Sequence, residues 1–321
     1  MKYPMKLKAP LKEYLWGGTR LKDAYGKETQ LATVAESWEL ACHKDGKSVI
    51  ANGVAAGQTL ADWLAAEGAD ALGTNAAKFP YFPLLIKLID ARDNLSVQVH
   101  PNDDYALRVE GEYGKTEMWY IVDCEPGAEL LYGFAHEISK EEFRRRIEDN
   151  TLLDVVRRVK VSKGDVFFIP AGTLHAIGKG ILICEIQQNS NTTYRVYDYG
   201  RVGTDGKPRD LHIEKALDVT NLAPPPLSQE KPRVCNIFAG AEVRRLASCD
   251  YFTVYHLAVD GECTLAAGAE SFQCLTVLSG SPVLQWNGEK FPLQKGESVF
   301  LPAGLGRYVL TGMAELILSK V

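Results

Sequence analysis

The chain has 321 residues, of which 46% are hydrophobic and 24% charged, an ordinary composition for a globular protein with room for two domains. Its formal net charge is −5 and it has no long block of Lys and Arg, so neither nucleic acid nor an anionic membrane is expected as a partner. No apolar run reaches the length of a signal peptide or membrane span, and the seven cysteines form no CxxC pair, which predicts a cytoplasmic protein with free thiols.

The N-terminal part predicts short strands, one helix and a buried strand. Val34–His43 reads as a strand, and His43 at its end is interpreted as a hydrogen-bonded or surface histidine rather than a ligand. Helical spacing follows from Leu60 to Glu67, with Thr59 as the candidate N-cap. The aliphatic run Leu84–Asp90 predicts the next strand.

The segment Leu95–Pro101 is the first with a chemical signature. Because alternate side chains of a strand share a face, Gln98 and His100 point one way while Val97 and Val99 point the other. Two polar side chains inside an apolar run are costly to bury unless something binds them. The segment therefore predicts a binding site on the Gln98 and His100 face.

Two later strands add further candidate ligands. Lys115 and Glu117 share a face at the start of the run that follows Gly114, and Gly164–Ala176 brings His175 to the end of another strand. His100, Glu117 and His175 with Gln98 as a fourth suit a divalent metal that keeps positions open for water or substrate. We expect a metal site built from these strands.

Between Gly133 and Val159 the apolar period changes to that of a helix. Ser139–Glu142 is a capping-box pattern, and it predicts a small helical insertion near residues 137–158. The apolar set of this insertion consists of Phe143, Ile147, Leu152, Val155 and Val156. Strands are predicted again at 181–188 and from residue 192 to 201, and a short helix around 213–217.

The prolines at 224–226 mark a linker at 223–232, because consecutive prolines exclude regular structure. It separates a predicted metal-binding domain, 1–222, from a C-terminal domain, 233–321. Lys163–Gly172 is repeated as Lys295–Gly304 at a constant offset of 132 residues, and at that offset His175 corresponds to Arg307. The repeat indicates two β-barrel domains, of which the second lacks the metal ligands.

The pattern from Gly164 to His175 resembles the second motif of the cupin superfamily. Together with Val97–Pro101, Gly114–Tyr120 and Tyr194–Asp198, it makes the chain similar to type I mannose-6-phosphate isomerases in their short bacterial form. The resemblance covers residues 80–215 strongly and 3–43 recognisably. It implies a mainly β fold with two cupin-like jelly-roll barrels and a small helical insertion.

By position, the resemblance implies a shell for one Zn²⁺ per chain made of Gln98, His100, Glu117 and His175. It also implies that Lys115 lies in the substrate pocket and that Arg195 is the active-site arginine. The family interconverts mannose 6-phosphate and fructose 6-phosphate, so a sugar phosphate is the expected partner. The oligomeric state is not readable from the sequence.

The chemistry of the residues leaves several roles open. Gln98 is either a metal ligand or a hydrogen-bond partner of a sugar hydroxyl. Lys115 contacts substrate, transfers a proton or pairs with Glu117, whereas Arg195, charged at any working pH, suits clamping an anion. The general base is Glu185, Asp198, Lys115 or a metal-bound hydroxide.

Two other functions fit the same residues. A metal cupin could bind or sense a sugar phosphate without turning it over, and an isomerase could act on unphosphorylated aldoses. The presence of Lys115 and Arg195 beside a complete ligand set favours the phosphosugar isomerase.

Overall fold

A computed structural model of the chain describes residues 2–203, 206–226, 232–238 and 240–321. Strands make up most of its regular structure, as the sequence predicts. The strands are Met5–Lys8 (β1), Leu11–Lys12 (β2), Glu36–Leu40 (β3), Cys42–His43 (β4), Gly46–Lys47 (β5), Val49–Ile50 (β6), Leu84–Ala91 (β7), Val97–Val99 (β8), Glu117–Cys124 (β9), Glu129–Phe134 (β10), Val156–Lys160 (β11), Val166–Ile169 (β12), His175–Ala176 (β13), Ile181–Gln188 (β14), Tyr194–Tyr197 (β15), Arg233–Phe238 (β16), Ala241–Ser248 (β17), Thr253–Ala267 (β18), Gln273–Gly280 (β19), Val283–Trp286 (β20), Glu289–Pro292 (β21), Ser298–Leu301 (β22) and Gly306–Lys320 (β23).

The α-helices are short. They are Arg20–Asp23 (α1), Leu60–Glu67 (α2), Asp103–Val109 (α3), Lys140–Glu148 (α4) and Ile213–Val219 (α5), with single 3₁₀ turns at Gly53–Ala55, Ala69–Ala71, Thr74–Lys78 and Leu152–Asp154. Thr59 caps α2 as predicted, since its side chain accepts a hydrogen bond from the backbone N–H of Asp62. None of the helices in the described ranges is long and apolar enough to cross a bilayer.

The chain divides into two compact units. The terminal unit holds the described residues of Met1–Lys12, Thr19–Leu88 and Glu230–Val321, and the central unit holds those of Glu13–Gly18 and Ile89–Gln229. This division differs from the predicted bounds 1–222 and 233–321 at the N-terminal end. The reason is long-range pairing, because β1 lies antiparallel between β22 and β6 within the terminal unit. That residues 1–222 form the metal-binding domain and residues 233–321 a second domain stays a prediction.

The terminal unit is built on one large antiparallel sheet. Its strand order is β16–β17–β18–β23–β19–β22–β1–β6, and the hairpin of β20 and β21 is attached to β23. Leu257, Leu275, Val299 and Leu316 are among the fully buried side chains of its core. Strand β22 begins 132 residues after β12 in the sequence, which is the offset predicted for the repeat. Arg307, which corresponds to His175 at this offset, is exposed.

The central unit contains a five-stranded antiparallel sheet with the order β11–β10–β13–β8–β15, and a second sheet in which β9 lies between β12 and β14. One face of the five-stranded sheet carries apolar side chains, including Val97, Val99 and Val196, which pack with Phe143 of α4 and Leu217 of α5. The opposite face is therefore left for the polar side chains that alternate with them.

The predicted helical insertion is confirmed in part. Ser139 caps α4 by accepting a hydrogen bond from the backbone N–H of Glu142, and Phe143 and Ile147 form its buried side. The expectation that Val156 belongs to the helical set is wrong, because the helix ends at Glu148 and β11 begins at Val156. Asn150 has a φ of 58°, the left-handed conformation that commonly follows a helix C-terminus.

The predicted linker 223–232 lies partly outside the described residues, which omit 227–231. Residues 223–226 form neither helix nor strand, as the prolines require, and the carbonyl of Pro225 accepts a hydrogen bond from Arg157. None of the seven cysteines, which all lie in the described residues, forms a disulfide bond. His43 is buried and its Nδ1 accepts a hydrogen bond from the backbone N–H of Asp45, which confirms its structural interpretation.

Candidate metal centre

Three neighbouring strands of the five-stranded sheet align the predicted polar residues in a row. His175 of β13 is directly opposite Gln98 of β8, and Gln98 is directly opposite Arg195 of β15. Residues directly opposite in antiparallel strands project from the same face of the sheet. Val97 and Val99 project from the other face of the sheet. The face opposite these valines therefore carries His175, Gln98 and Arg195 together.

Glu117 reaches the same place from the second sheet, as the first residue of β9. The chain before it is held against the end of β8, because the Lys115 N–H donates to the carbonyl of Pro101 at 2.9 Å. Gly114 permits this approach, since a Cβ at that position would lie 2.4 Å from the carbonyl carbon of Asn102. A glycine at 114 thus brings the His100 end of one strand beside the Glu117 end of another.

His100, Glu117 and His175, which we call the metal centre, are buried, and their potential ligand atoms all lie within 4.8 Å of one another. The Nε2 atom of His175 lies 3.3 Å from Oε1 of Glu117, and Nε2 of His100 lies 3.7 Å from Oε2. The side-chain amide of Gln98 extends to the same point, with its Nε2 atom 3.5 Å from Nε2 of His175. The structure therefore brings together all four residues that the sequence predicted as ligands.

Hydrogen bonds to the backbone orient both imidazoles. Nδ1 of His100 lies 2.9 Å from the carbonyl oxygen of Thr192, and Nδ1 of His175 lies 2.8 Å from that of Thr173. Because a carbonyl oxygen only accepts, each Nδ1 carries a proton, and each Nε2 faces the centre. Burial lowers the pKa of His175 to about 4, which keeps this ring neutral near pH 7.

Two neutral imidazoles and one carboxylate form the donor set of many divalent-metal sites. Backbone carbonyls bound to the second ring nitrogen are the usual outer partners of metal-binding histidines. The residues present therefore fit a divalent metal ion, as the sequence predicted. The carbonyls of Thr173 and Thr192 were not foreseen, since any residue type supplies a carbonyl and no sequence signal marks it.

Lys115 lies beside the metal centre. Its Nζ atom is 3.0 Å from Oε2 of Glu117 and 3.9 Å from Oε1 of Glu185, and its side chain is almost fully buried. Oε2 of Glu185 accepts a hydrogen bond from the indole N–H of Trp119 at 2.8 Å. The predicted shared face of Lys115 and Glu117 is confirmed, and the structure adds Glu185 and Trp119 to their surroundings.

Arg195 is half-buried and lies beside Gln98 at the edge of this row. Its Nε donates to the hydroxyl of Ser96 at 3.3 Å, and its Nη1 donates to the carbonyl of Asp210 at 3.0 Å. Burial and the nearby guanidinium of Arg209 lower the pKa of Arg195, yet an arginine stays charged in proteins. The arrangement presents a cation near the metal centre, suited to an anionic group.

Asp198, one of the candidates for the general base, binds two arginines. Arg201 and Arg209 each donate to its carboxylate at 2.5 Å. Burial would raise the pKa of Asp198, but the hydrogen bonds from Arg209 and Arg201 outweigh it and lower the pKa. The carboxylate is thus held ionised by its partners, which disfavours it as a proton-transfer group.

Comparisons with known proteins agree with this arrangement. The family model of the type I phosphomannose isomerase catalytic domain matches residues 5–151, and that of the mannose-6-phosphate isomerase cupin domain matches residues 242–321. The predicted cupin fold class is thereby confirmed.

Similar proteins align with the chain over nearly its whole length. A Bacillus subtilis protein described as a "probable mannose-6-phosphate isomerase" is 42% identical over 320 residues, which is 99% of each chain. The mannose-6-phosphate isomerase of Streptococcus mutans is 40% identical and covers 99% of this chain and 98% of its own. The crystal structure of the mannose 6-phosphate isomerase from Bacillus subtilis superposes with a TM-score of 0.90 at 36% identity, covering 100% of both chains.

Proposed function

The chain belongs to the type I phosphomannose isomerase family, and on this premise we propose that it interconverts mannose 6-phosphate and fructose 6-phosphate through an enediolate. The observation that supports the proposal most is the buried metal centre with Lys115 beside it. An aldose–ketose isomerisation develops negative charge on a sugar oxygen. That charge would be stabilised by a metal ion, by Lys115 in contact with the metal site and by Arg195 at its edge.

We propose one Zn²⁺ per chain, held by His100, Glu117 and His175, with Gln98 as the fourth ligand. When bound, the ion would act as a Lewis acid towards the oxyanion that develops on O1 or O2 of the sugar. Two neutral imidazoles and a single carboxylate would leave a divalent centre with net positive charge, which favours that oxyanion. The burial of all three side chains also keeps bulk water from screening the interaction.

Lys115 and Arg195 are proposed as the residues that contact substrate. Lys115 carries its positive charge between the carboxylates of Glu117 and Glu185, so its ammonium group would hydrogen-bond a sugar oxygen near the metal centre. Arg195 would clamp the phosphate or the enediolate, because a guanidinium binds anions through paired N–H donors and does not give up its proton.

The transfer of a proton between C1 and C2 needs a side chain near the metal centre that exchanges protons. Of the three side chains considered for this role, Lys115 contacts Glu117 of the metal centre, and its Nζ atom lies 3.9 Å from Oε1 of Glu185. Asp198 is bound instead by Arg201 and Arg209. We therefore propose that the transfer involves the Glu185 and Lys115 pair.

A coupled assay for fructose 6-phosphate formed from mannose 6-phosphate tests the function, on protein of known metal content, with and without a chelator. We expect turnover that the chelator abolishes. Absence of turnover by protein that holds one metal per chain would indicate the non-catalytic, sugar-phosphate-binding alternative. Equal rates with mannose and mannose 6-phosphate would indicate an isomerase of unphosphorylated aldoses.

We also propose a cytoplasmic location for the chain. The support for it is that none of the seven cysteines forms a disulfide bond in the described structure.

A further inference from the structure

A buried carboxylate and two arginines form a closed cluster next to β15. Arg209 donates to Asp198 from two nitrogens, Nε at 2.8 Å and Nη2 at 2.5 Å. Arg201 donates to the same carboxylate at 2.5 Å, and its Nη1 donates to the carbonyl of Asn94. Asp198 is only 7% exposed, so these bonds form largely away from water, where paired guanidinium–carboxylate bonds are strong and well directed.

The chain that returns from this cluster runs back along β15. Val202 forms a bridge with Pro208, and the next residue is Arg209, which Asp198 holds. Farther along, the His212 N–H donates to the carbonyl of Arg195 at 2.8 Å, and Nδ1 of His212 accepts from the Arg195 N–H at 3.1 Å. The returning chain is thus fixed at Arg209 by an ion pair and at His212 by two bonds to Arg195.

Asp210 lies between these two fixed points, and its carbonyl accepts the hydrogen bond from Nη1 of Arg195 at 3.0 Å. The Nε atom of Arg195 also donates to Ser96. These two hydrogen bonds, from different nitrogens of a planar guanidinium, define its plane and leave the group little freedom to rotate. The bond from Nη1 depends on the position of a backbone carbonyl directly after Arg209. The ion pair between Asp198 and Arg209 therefore lies one residue before the carbonyl that binds the Arg195 guanidinium.

We propose that Asp198 is a positioning residue, which holds Arg209 so that the carbonyl of Asp210 fixes the guanidinium of Arg195. The proposal concerns a residue beyond the metal ligands and substrate contacts, and its catalytic consequence rests on the proposed function. Its structural part stands independently of that function, since it concerns the order of one side chain. No proton transfer by Asp198 is involved.

The test is Asp198→Asn in the full-length protein, which keeps the size of the side chain and removes its charge. The first measurement is solvent exchange of the Arg195 Nε–H by NMR, with the signal assigned from an Arg195→Lys variant. We expect the Arg195 Nε–H to exchange at least about tenfold faster in Asp198→Asn. A tenfold rise in the population in which the side chain is open to solvent corresponds to the loss of about one ordinary hydrogen bond. Unchanged exchange would overturn the proposal.

The second measurement is a double-mutant cycle on kcat/KM. Asp198→Asn is expected to lower kcat/KM in the wild-type background and to have almost no further effect in the Arg195→Lys background, since both changes remove the same guanidinium geometry. An equal loss in both backgrounds would overturn the proposal, because a merely structural role would act regardless of residue 195. If the wild-type protein has no isomerase activity, the proposed function fails, and the exchange measurement still decides the role of Asp198.

Glu214→Gln is the matched control. Glu214 accepts from both Nη atoms of Arg144, at 2.5 and 2.7 Å, but on the exposed side of the same unit. It should change neither measurement. If Asp198→Asn does not fold, Arg209→Lys replaces it, because it keeps the charge and loses the two-nitrogen contact. We expect faster exchange of the Arg195 Nε–H there too, and unchanged exchange would overturn the proposal.

Discussion

Gly114→Ala tests whether the close approach of two chain segments builds the metal centre. The added Cβ would lie 2.4 Å from the carbonyl carbon of Asn102 and 2.6 Å from the nitrogen of Asp103. Both neighbours are backbone atoms, so the segments must separate by about 1 Å to reach ordinary packing distance. One segment follows His100 directly, and the other leads into Glu117.

The expected magnitude follows from this displacement. His100 and Glu117 face each other with Nε2 and Oε2 3.7 Å apart, and a ligand displaced by about 1 Å no longer meets a metal at the required distance. Changes in the groups that orient ligands typically lower metal affinity by about 10- to 100-fold, which corresponds to about 1.4–2.7 kcal/mol. The added methyl group should also lower the free energy of unfolding of the metal-free protein by about 1–3 kcal/mol.

Zinc affinity, measured by competition with a chromophoric chelator, and denaturant unfolding without metal provide the two readouts. Gly111→Ala is the control, because Gly111 has a φ of 69° and a Cβ there meets nothing within 4 Å. That variant carries only the left-handed backbone strain, about 1–2 kcal/mol, and should keep the zinc affinity of the wild type. Unchanged affinity in Gly114→Ala, or an equal loss in Gly111→Ala, would refute the reasoning.

Three further changes test other parts of the structure. His175→Ala should abolish stoichiometric metal binding and preserve the fold, as measured by metal analysis and circular dichroism; full metal content in this variant would show that the proposed shell is wrong. Arg195→Ala should keep the metal and lower kcat/KM for mannose 6-phosphate by about 100-fold or more, and near-normal turnover would remove Arg195 from the mechanism. Phe143→Ala should lower the free energy of unfolding by about 3–5 kcal/mol, because the side chain is fully buried in the core beneath α4. Arg145→Ala on the exposed side of the same helix should change it by no more than about 0.5 kcal/mol, and similar losses in both variants would contradict the helix orientation.

Local patterns predicted the candidate site because its residues are placed by strand periodicity. The alternation through Val97, Gln98, Val99 and His100 assigns two side chains to one face, whatever the strand pairs with. The same rule joins Lys115 to Glu117. Side-chain caps at Thr59 and Ser139 were equally readable, since a cap depends on residues three positions apart.

The ends of helices and strands were predicted less accurately than their periodicity. The apolar residues at 152–156 continue the spacing of α4, but Asn150 adopts a left-handed conformation and Val156 pairs with Phe134 in a strand. A hydrophobic residue at the right spacing satisfies a helix and a buried strand alike. The partner strand, which lies more than twenty residues earlier, decides between them.

The sequence by itself determined which side chains share a face, where α2 and α4 begin, and the repeated turn-and-strand segment with its offset of 132 residues. Only the tertiary structure decided that β1 pairs with β22, that the carbonyls of Thr173 and Thr192 orient the two histidines, and that Asp198 binds Arg201 and Arg209. The first group depends on neighbours along the chain, whose geometry is fixed by backbone periodicity. The second depends on which distant backbone and side-chain groups meet once the sheets have formed, and backbone groups are the same in every residue, so no local pattern marks them in advance.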